Sequence, residues 1–261
     1  MRLTGLGVVG LVATALIASA CGGASGRADA PEWQTVRTPG GHQLRLAVFR
    51  PRGAPPHRVV LVLHGDDGFR QTYLDLAQRF SDRGFLAVAG CWFAGRARTI
   101  AYMDPPLDCP AAPPHDQPQL WPASIASLAQ STDQLARDAA AQGPPIGVLG
   151  NAAGALEAIS AAASRSDIGA VVAVGAPYSA STPVPGSPLL LLHGQKQGTV
   201  AMSAQALNAA LEYERRVRGQ DVPVESHVYD ETEYGFLAVR PDLLDDVIAR
   251  STDFFTRYLG S

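Results

Sequence analysis

The stretch 150–154, with the sequence Gly-Asn-Ala-Ala-Gly, has the form of a turn that presents a catalytic nucleophile. It follows a short apolar run and opens an alanine-rich helical run, so a strand, a sharp turn and a helix are expected in that order. Glycines on both sides suit a strained turn in which two backbones pass closely. Ala152 stands where serine or cysteine would be needed, and a methyl group cannot attack a carbonyl carbon. The sequence therefore predicts the frame of a nucleophilic site without its nucleophile.

Other ionisable residues fall near the ends of predicted strands. Asp66 and Asp67 follow a His-Gly pair, where they suit either a turn with a helix N-cap or a charged site. Asp230, Glu231 and Glu233 cluster after the last predicted strand. Carboxylates that converge can hold a metal ion, which leaves a metal-assisted enzyme open. No metal ligand set and no cofactor are predicted.

The composition is that of a globular chain. It has 261 residues, of which 46% are hydrophobic and 17% charged, and its formal net charge is -3. The isoelectric point of about 6.0 gives no basic footprint for nucleic acid, so no nucleic-acid partner is expected. This length is ordinary for one α/β domain.

Apolar runs alternate with helical patterns along most of the chain. The run 59–63 is continuously apolar, as in a strand that is covered on both faces, and the stretch 69–83 has apolar residues at helical spacing. This alternation predicts a three-layer α/β fold, with a mainly parallel sheet of about eight strands and helices on both faces. Sites in such sheets lie beyond the carboxyl ends of the strands, where the loops named above fall.

The first 31 residues are predicted to lie outside the folded domain. Residues 1–20 combine a positive start with an apolar run, which is typical of a secretory signal peptide. The stretch 18–21 (Ala-Ser-Ala-Cys) resembles a bacterial lipobox. That resemblance implies a lipidated Cys21, anchored to the outer face of the bacterial cell membrane. Residues 21–31 predict a flexible tether, which leaves 32–261 for the domain. A signal peptide that spares Cys21 and an uncleaved anchor are the alternatives.

The two remaining cysteines, Cys91 and Cys109, are predicted to form one disulfide, because an exported chain folds in an oxidising compartment. Two independently buried thiols are the alternative.

Four landmarks, in order and at suitable spacing, carry a resemblance to a known family. They are His64-Gly65 with Gly68, the strand end 91–93, the turn 150–154 and the stretch 192–194. The chain resembles the α/β-hydrolase superfamily, and most of all its dienelactone-hydrolase-like branch. The resemblance implies that the backbone N–H of Ala153 and one near Asp66 would donate hydrogen bonds to a developing oxyanion.

The resemblance also implies a degenerate catalytic triad. The nucleophile position is Ala152, the acid position is Gln197, and the base position before a Gly-Phe pair is Tyr234. No histidine follows His227 in the chain. No catalytic residue is therefore expected, and the carboxylates of Asp66 and Asp67 would oppose a developing oxyanion.

These observations favour an exported, membrane-anchored α/β-hydrolase-fold lipoprotein that binds without catalysis. The alternatives are an active esterase or dienelactone-hydrolase-type enzyme with an unrecognised or metal-assisted site, and a purely structural envelope protein. The cleft over Ala152 is predicted to take a small neutral or cationic apolar ligand, unless the ring of Tyr234 fills it. The candidate cleft residues are Asp66, Asp67, Trp92, Phe93, Tyr178 and Tyr234.

Overall fold

The computed structural model describes residues 30–53, 56, 58–95, 105–139, 145–194, 203–230 and 240–260. The strands are β1 (Glu32–Arg37), β2 (Gln43–Phe49), β3 (Val59–Leu63), β4 (Leu86–Gly90), β5 (Ile146–Asn151), β6 (Ile168–Val174), β7 (Leu189–Gly194) and β8 (Val224–Tyr229). The helices are α1 (Gln71–Ser81), α2 (Trp121–Ala139), α3 (Ala153–Ser164), α4 (Ser203–Arg218) and α5 (Leu244–Tyr258). Short 3-10 turns at Pro118–Leu120 and Pro241–Leu243 lead into α2 and α5.

The eight strands form one sheet in the order β1-β2-β4-β3-β5-β6-β7-β8. β2 runs antiparallel to both of its neighbours, and every other pair from β4 to β8 is parallel. The predicted mainly parallel sheet is therefore confirmed. Its centre is β3 and β5, whose register places Leu63 opposite Gly150 at the carboxyl edge.

Helices cover both faces of the sheet, because its right-handed crossovers do not all run in the same direction along it. The step from β3 to β4 runs one way and puts α1 on one face, where it contacts α5. The steps from β4 to β5 and from β5 to β6 run the other way, so α2 and α3 lie together on the opposite face. The three layers predicted from the sequence are therefore present.

The central strands have side chains that are buried on both faces, which explains why their sequences are continuously apolar. All five residues of β3 and all five of β4 are buried. Two glycines in the sheet leave room for helix side chains, since a Cβ on Gly90 would meet Leu128 of α2 and one on Gly147 would meet Phe255 of α5. The sheet and its two helix layers thus form one continuous core.

The disulfide predicted from the sequence is confirmed between Cys91 and Cys109, which are 18 residues apart. Cys91 directly follows β4, and Cys109 lies in the segment that leads to α2. The same segment is held by β2, because the Arg45 guanidinium donates a hydrogen bond of 2.9 Å to the Asp108 carbonyl. The disulfide therefore ties the approach to α2 to the carboxyl edge of the sheet.

The predicted signal peptide, Cys21 and most of the predicted tether lie outside the described residues. None of the described helices combines the length and hydropathy that crossing a membrane requires.

Candidate functional site

The predicted strand, sharp turn and helix are present at stretch 150–154, with Ala152 at the apex. Ala152 has φ of 48° and ψ of -114°, which is a conformation that L-residues rarely adopt. Its N–H donates a hydrogen bond of 2.8 Å to the carbonyl of Val174, so the apex is attached to β6. The side chain at this position is a methyl group with 7% of the residue exposed. The turn holds its strained shape although the apex residue carries no reactive atom.

The two glycines of the turn are required by close backbone packing. A Cβ on Gly150 would lie 2.2 Å from the carbonyl oxygen of Gly154. A Cβ on Gly154 would lie 2.4 Å from the carbonyl oxygen of His64. Both distances are far below any contact that real Cβ atoms make, so the turn touches both its own helix and the His64-Gly65 turn.

The predicted oxyanion donors lie at these two touching turns. Ala153 is the first residue of α3, so its N–H has no partner within the helix. Gly65 donates its N–H to the Tyr73 hydroxyl at 2.9 Å, which points this donor into the core. Asp66 follows it with an exposed side chain. Ala153 thus opens α3 directly after Ala152, and Asp66 follows the His64-Gly65 turn that packs against Gly154.

A buried polar network beneath the turn was not predicted from the sequence, and it centres on Tyr73 of α1. Its hydroxyl accepts hydrogen bonds of 2.9 Å from both Gly65 N–H and the Asn151 side-chain amide. It donates one of 2.7 Å to the Asp67 carboxylate. Tyr73 is fully buried, and burial raises its pKa well above the ordinary value, with the charge of Asp67 adding to the effect. The sequence showed Tyr73 only as an apolar position on a helix face.

Asp67 belongs to this network and not to an open cleft or a helix cap. The Arg70 Nε atom lies 3.3 Å from its carboxylate and donates a hydrogen bond of 2.8 Å to its backbone carbonyl. Burial raises the pKa of Asp67, while Tyr73 and then Arg70 act to lower it. The N-cap residue of α1 is Arg70, without a side-chain cap, so the predicted capping role for Asp66 or Asp67 is wrong. The Asp67 carboxylate therefore bonds within the protein, whereas the Asp66 side chain is exposed.

His64 is a structural residue whose two ring nitrogens are both engaged. Its Nε2 accepts the Trp92 N–H at 3.3 Å, so Nδ1 carries the proton and donates to the Gly65 carbonyl at 3.0 Å. The Trp92 indole N–H returns a hydrogen bond of 3.1 Å to the His64 carbonyl. Burial lowers the pKa of His64 to about 3. The ring is therefore neutral and cannot accept a proton from a substrate at neutral pH.

The prediction that Trp92, Phe93 and Tyr178 line a cleft is not supported by their burial. Trp92 and Phe93 are fully buried, and both pack against the rings of His64 and Trp121. Tyr178 is 7% exposed and stacks on Tyr213 with ring centroids 4.6 Å apart. The aromatic residues that follow these strands extend the hydrophobic core beyond the carboxyl edge of the sheet. Sequence spacing alone does not distinguish such an extension from the wall of a cleft.

His193, at the end of β7, is also a buried ring. It is 4% exposed and meets Tyr178 edge-on with ring centroids 5.7 Å apart. Burial lowers its pKa to about 4, against a small opposing effect of Glu214. Within the described residues no partner reaches its buried Nε2 atom. Like His64, it is neutral at physiological pH.

The remaining predicted site residues are only partly described. Gln197, Tyr234, Glu231 and Glu233 lie outside the described residues, whereas Asp230 follows β8 with an exposed side chain. Among the residues that the structure describes, no three histidine, cysteine or acidic side chains converge as a metal site would require.

The sheet order, its single antiparallel strand near one edge and the sharp turn after β5 define the α/β-hydrolase fold, in the form seen in dienelactone hydrolases. The sequence matches no protein-family model and no curated protein. Solved structures match it over most of its length. A dienelactone hydrolase from Anabaena variabilis has a TM-score of 0.65 at 16% identity, covering 89% of this chain and 100% of that chain.

Two further solved structures have the same fold. An esterase from Pyrococcus furiosus has a TM-score of 0.64 at 17% identity, covering 88% of this chain and 92% of that chain. A dienelactone-hydrolase-like promiscuous phosphotriesterase from metagenomic libraries has a TM-score of 0.63 at 16% identity, covering 89% of this chain and 100% of that chain. At such identities the likeness establishes the fold, and activity has to be argued from the residues.

Proposed function

We propose that this chain is a non-catalytic member of the dienelactone-hydrolase-like α/β-hydrolases, which binds a small molecule over the turn at stretch 150–154. The observation that carries the proposal is Ala152, a methyl group at the apex of a turn whose strained backbone is retained. Removal of the nucleophile or the base from a serine hydrolase lowers turnover about a million-fold. Oriented backbone donors by themselves leave a rate enhancement on the order of a thousand-fold over the reaction in water.

The surroundings of Ala152 support the absence of catalysis. His64 has both ring nitrogens engaged, and His193 is buried with its pKa lowered to about 4. In the sequence, the acid and base positions of the family hold Gln197 and Tyr234. A serine placed at position 152 would therefore lack a base to take its proton.

The groups at the turn favour a neutral or cationic ligand. The N–H of Ala153 can donate a hydrogen bond to a carbonyl or hydroxyl oxygen, and the methyl group of Ala152 offers an apolar floor. Asp66 follows the His64-Gly65 turn, which packs against Gly154, and its exposed carboxylate would repel an anion and attract an amine. Asp67 does not add to this preference, because its carboxylate accepts a hydrogen bond from Tyr73 and lies 3.3 Å from Arg70.

The testable prediction is binding without turnover. Neutral and amine-bearing compounds that stabilise the purified chain in a thermal-shift screen should be recovered unchanged, and ester, thioester and dienelactone substrates should not be hydrolysed. A ligand at one hundred times its dissociation constant adds about 2.7 kcal/mol of stability, which a thermal shift detects easily. Asp66→Asn should weaken the binding of amines and leave neutral ligands unaffected.

A variant series separates a lost triad from a misassigned one. Ala152→Ser alone should create no activity, and activity should need at least Ala152→Ser, Gln197→Asp and Tyr234→His together. Ester hydrolysis by the unmodified chain that survives repeated purification and follows the protein peak would refute the proposal, and would favour an active enzyme with an unrecognised site.

The proposal includes export and a lipid anchor at Cys21. Its support is the stretch 18–21, which stands before a small, polar segment. Mass spectrometry of the native N-terminus is expected to find a lipidated Cys21 as the first residue. An unmodified Cys21 or a different first residue would contradict the anchor without affecting the binding proposal.

A further inference from the structure

A groove between α2 and α3 lies away from the turn at stretch 150–154 and has its own chemistry. Its volume is about 160 Å³. Residues on one stripe of α3 form one wall, because positions 157, 160, 161 and 164 follow one another at helical spacing. The first turns of α2 form the other wall. The residues that matter here are Pro122, Ile125, Ala126, Glu157, Ser160 and Ala161.

Glu157 is the unusual residue of this groove. Its side chain is half-buried, and among the described residues no hydrogen bond or ion pair is made to its carboxylate. Burial raises the pKa of the carboxyl group, with no opposing contribution from a nearby cation. An unpaired, partly desolvated carboxylate lowers the stability of the folded chain unless a bound cation pairs with it.

Among the described residues that line the groove, Arg165 is the one cation, and it is paired with Asp167. Arg165 donates from Nε to Asp167 Oδ1 at 3.0 Å and from Nη2 to Asp167 Oδ2. Both hydrogen bonds of this fork-to-fork pair go to the carboxylate of Asp167. Other acids on the helices have partners one turn away, such as Asp133 with Arg137 and Glu214 with Arg218. Glu157 is the one carboxylate in the part of the groove lining that the structure describes.

We propose that this groove binds a small primary amine, with the ammonium group paired to Glu157 and the apolar body against Ile125, Ala126 and Ala161. An ammonium has three donors, so it can bond the carboxylate and the Ser160 hydroxyl together. The described lining holds no aromatic ring, which disfavours a quaternary ammonium that needs cation–π contacts. The volume is smaller than the roughly 300–1,000 Å³ of clefts for drug-sized ligands, so the ligand is an alkylamine or a single-ring amine.

This groove does not depend on the proposed function. Glu157 lies five residues beyond Ala152, which is about 7.5 Å along the helix axis, and the rest of the groove continues away from the turn. The groove also opens between two helices on one face of the sheet, whereas the turn lies at the carboxyl edge of the strands. Either site could exist without the other.

Titration calorimetry on the full chain tests the proposal, with benzylamine as the probe and benzyl alcohol as its neutral isostere. Benzylamine should bind saturably with a dissociation constant of about 1 mM, and benzyl alcohol at least about tenfold more weakly. Glu157→Gln should weaken benzylamine at least tenfold. Asp75→Asn, a matched loss of one carboxylate on α1 across the sheet, should leave binding unchanged. Glu157→Gln should be at least as stable as the unmodified chain, since it removes a half-buried charge that no described cation pairs with.

Three results would overturn the inference. Benzylamine could fail to bind at about ten times the expected dissociation constant. Binding could survive Glu157→Gln and disappear in Asp66→Asn, which would move the amine to the turn at stretch 150–154. A capped lysine, Nα-acetyl-lysine methylamide, could bind more tightly than benzylamine, which would replace the small amine with the lysine of a polypeptide partner.

Discussion

Gly150→Ala is expected to destabilise the chain by at least about 3 kcal/mol, which lowers the melting temperature by about 6–12 °C in a domain of this size. The added methyl would lie 2.2 Å from the carbonyl oxygen of Gly154, 2.3 Å from its carbonyl carbon and 2.6 Å from the nitrogen of Ala155. All three are backbone atoms, so no side chain can rotate to make room. Relief would require moving the start of α3, whose preceding residue is hydrogen-bonded to β6.

Gly186→Ala is the matched control, because a Cβ there meets nothing within 4 Å and the backbone is outside the left-handed region. That substitution should change stability by less than about 1 kcal/mol, with a small gain from the reduced freedom of the unfolded chain. Urea unfolding of both variants provides the measurement. Equal midpoints for Gly150→Ala and the unmodified chain would show that the turn does not pack as described.

Packing alone therefore explains why the shape of the turn persists without a nucleophile. Gly150 and Gly154 bring β5, α3 and the His64-Gly65 turn into backbone contact, and Ala152 takes its strained φ because the chain must reverse there. Any change that relaxed the turn would separate these elements. An intact turn at stretch 150–154 is thus evidence of the fold, while catalysis depends on the side chain at its apex.

The elements were predictable because their patterns are local. The continuous apolar run of β3 and the helical spacing in α1 require no knowledge of the rest of the chain. The apolar run 59–63 has the same bounds as β3, and the helical stretch 69–83 contains α1. The mainly parallel sheet with helices on both faces followed from the alternation of strands and helices together with the handedness of crossovers.

The site was less predictable because its side chains are positioned by contacts between distant segments. The Tyr73 hydroxyl joins Asn151, which is 78 residues away, and an apolar helix position gives no sign of that. Trp92 and Phe93 were assigned to a cleft because they follow a strand, but rings from His64 and Trp121 enclose them. The sequence located the turn and its missing nucleophile, and three-dimensional packing decided which neighbours are exposed.

Lowering the pH from about 7.5 to about 5 is expected to reduce the free energy of unfolding by about 4 kcal/mol. The folded chain holds His64 and His193 neutral, with pKa values lowered by burial from 6.5 to about 3 and about 4. Below pH 6.5 both histidines bind protons in the unfolded chain but stay neutral in the folded chain. The stability that is present above pH 6.5 is therefore lost as the pH falls. Each histidine contributes about 1.4 kcal/mol per pH unit.

This loss continues until the folded histidines themselves become charged, near pH 4 for His193 and near pH 3 for His64. Asp67 and Glu157 act in the opposite direction, because burial raises the pKa of each above ordinary values of 3.8 and 4.5. They bind protons more readily in the folded chain and offset part of the loss, at the acid end of the range.

Urea unfolding across this range measures the slope, and His193→Phe isolates one contribution to it. Phenylalanine keeps a ring of similar size against Tyr178 and removes the titrating group, so the dependence on pH between about 6 and 5 should fall by about half. If that variant does not fold, proton NMR of the unmodified chain gives the same information, since neither buried ring should titrate above pH 5. A stability that is constant from neutral pH to pH 5, or resonances assigned to His64 and His193 that titrate near 6.5, would mean that these two rings are solvated and that His64 does not hold the turn as described.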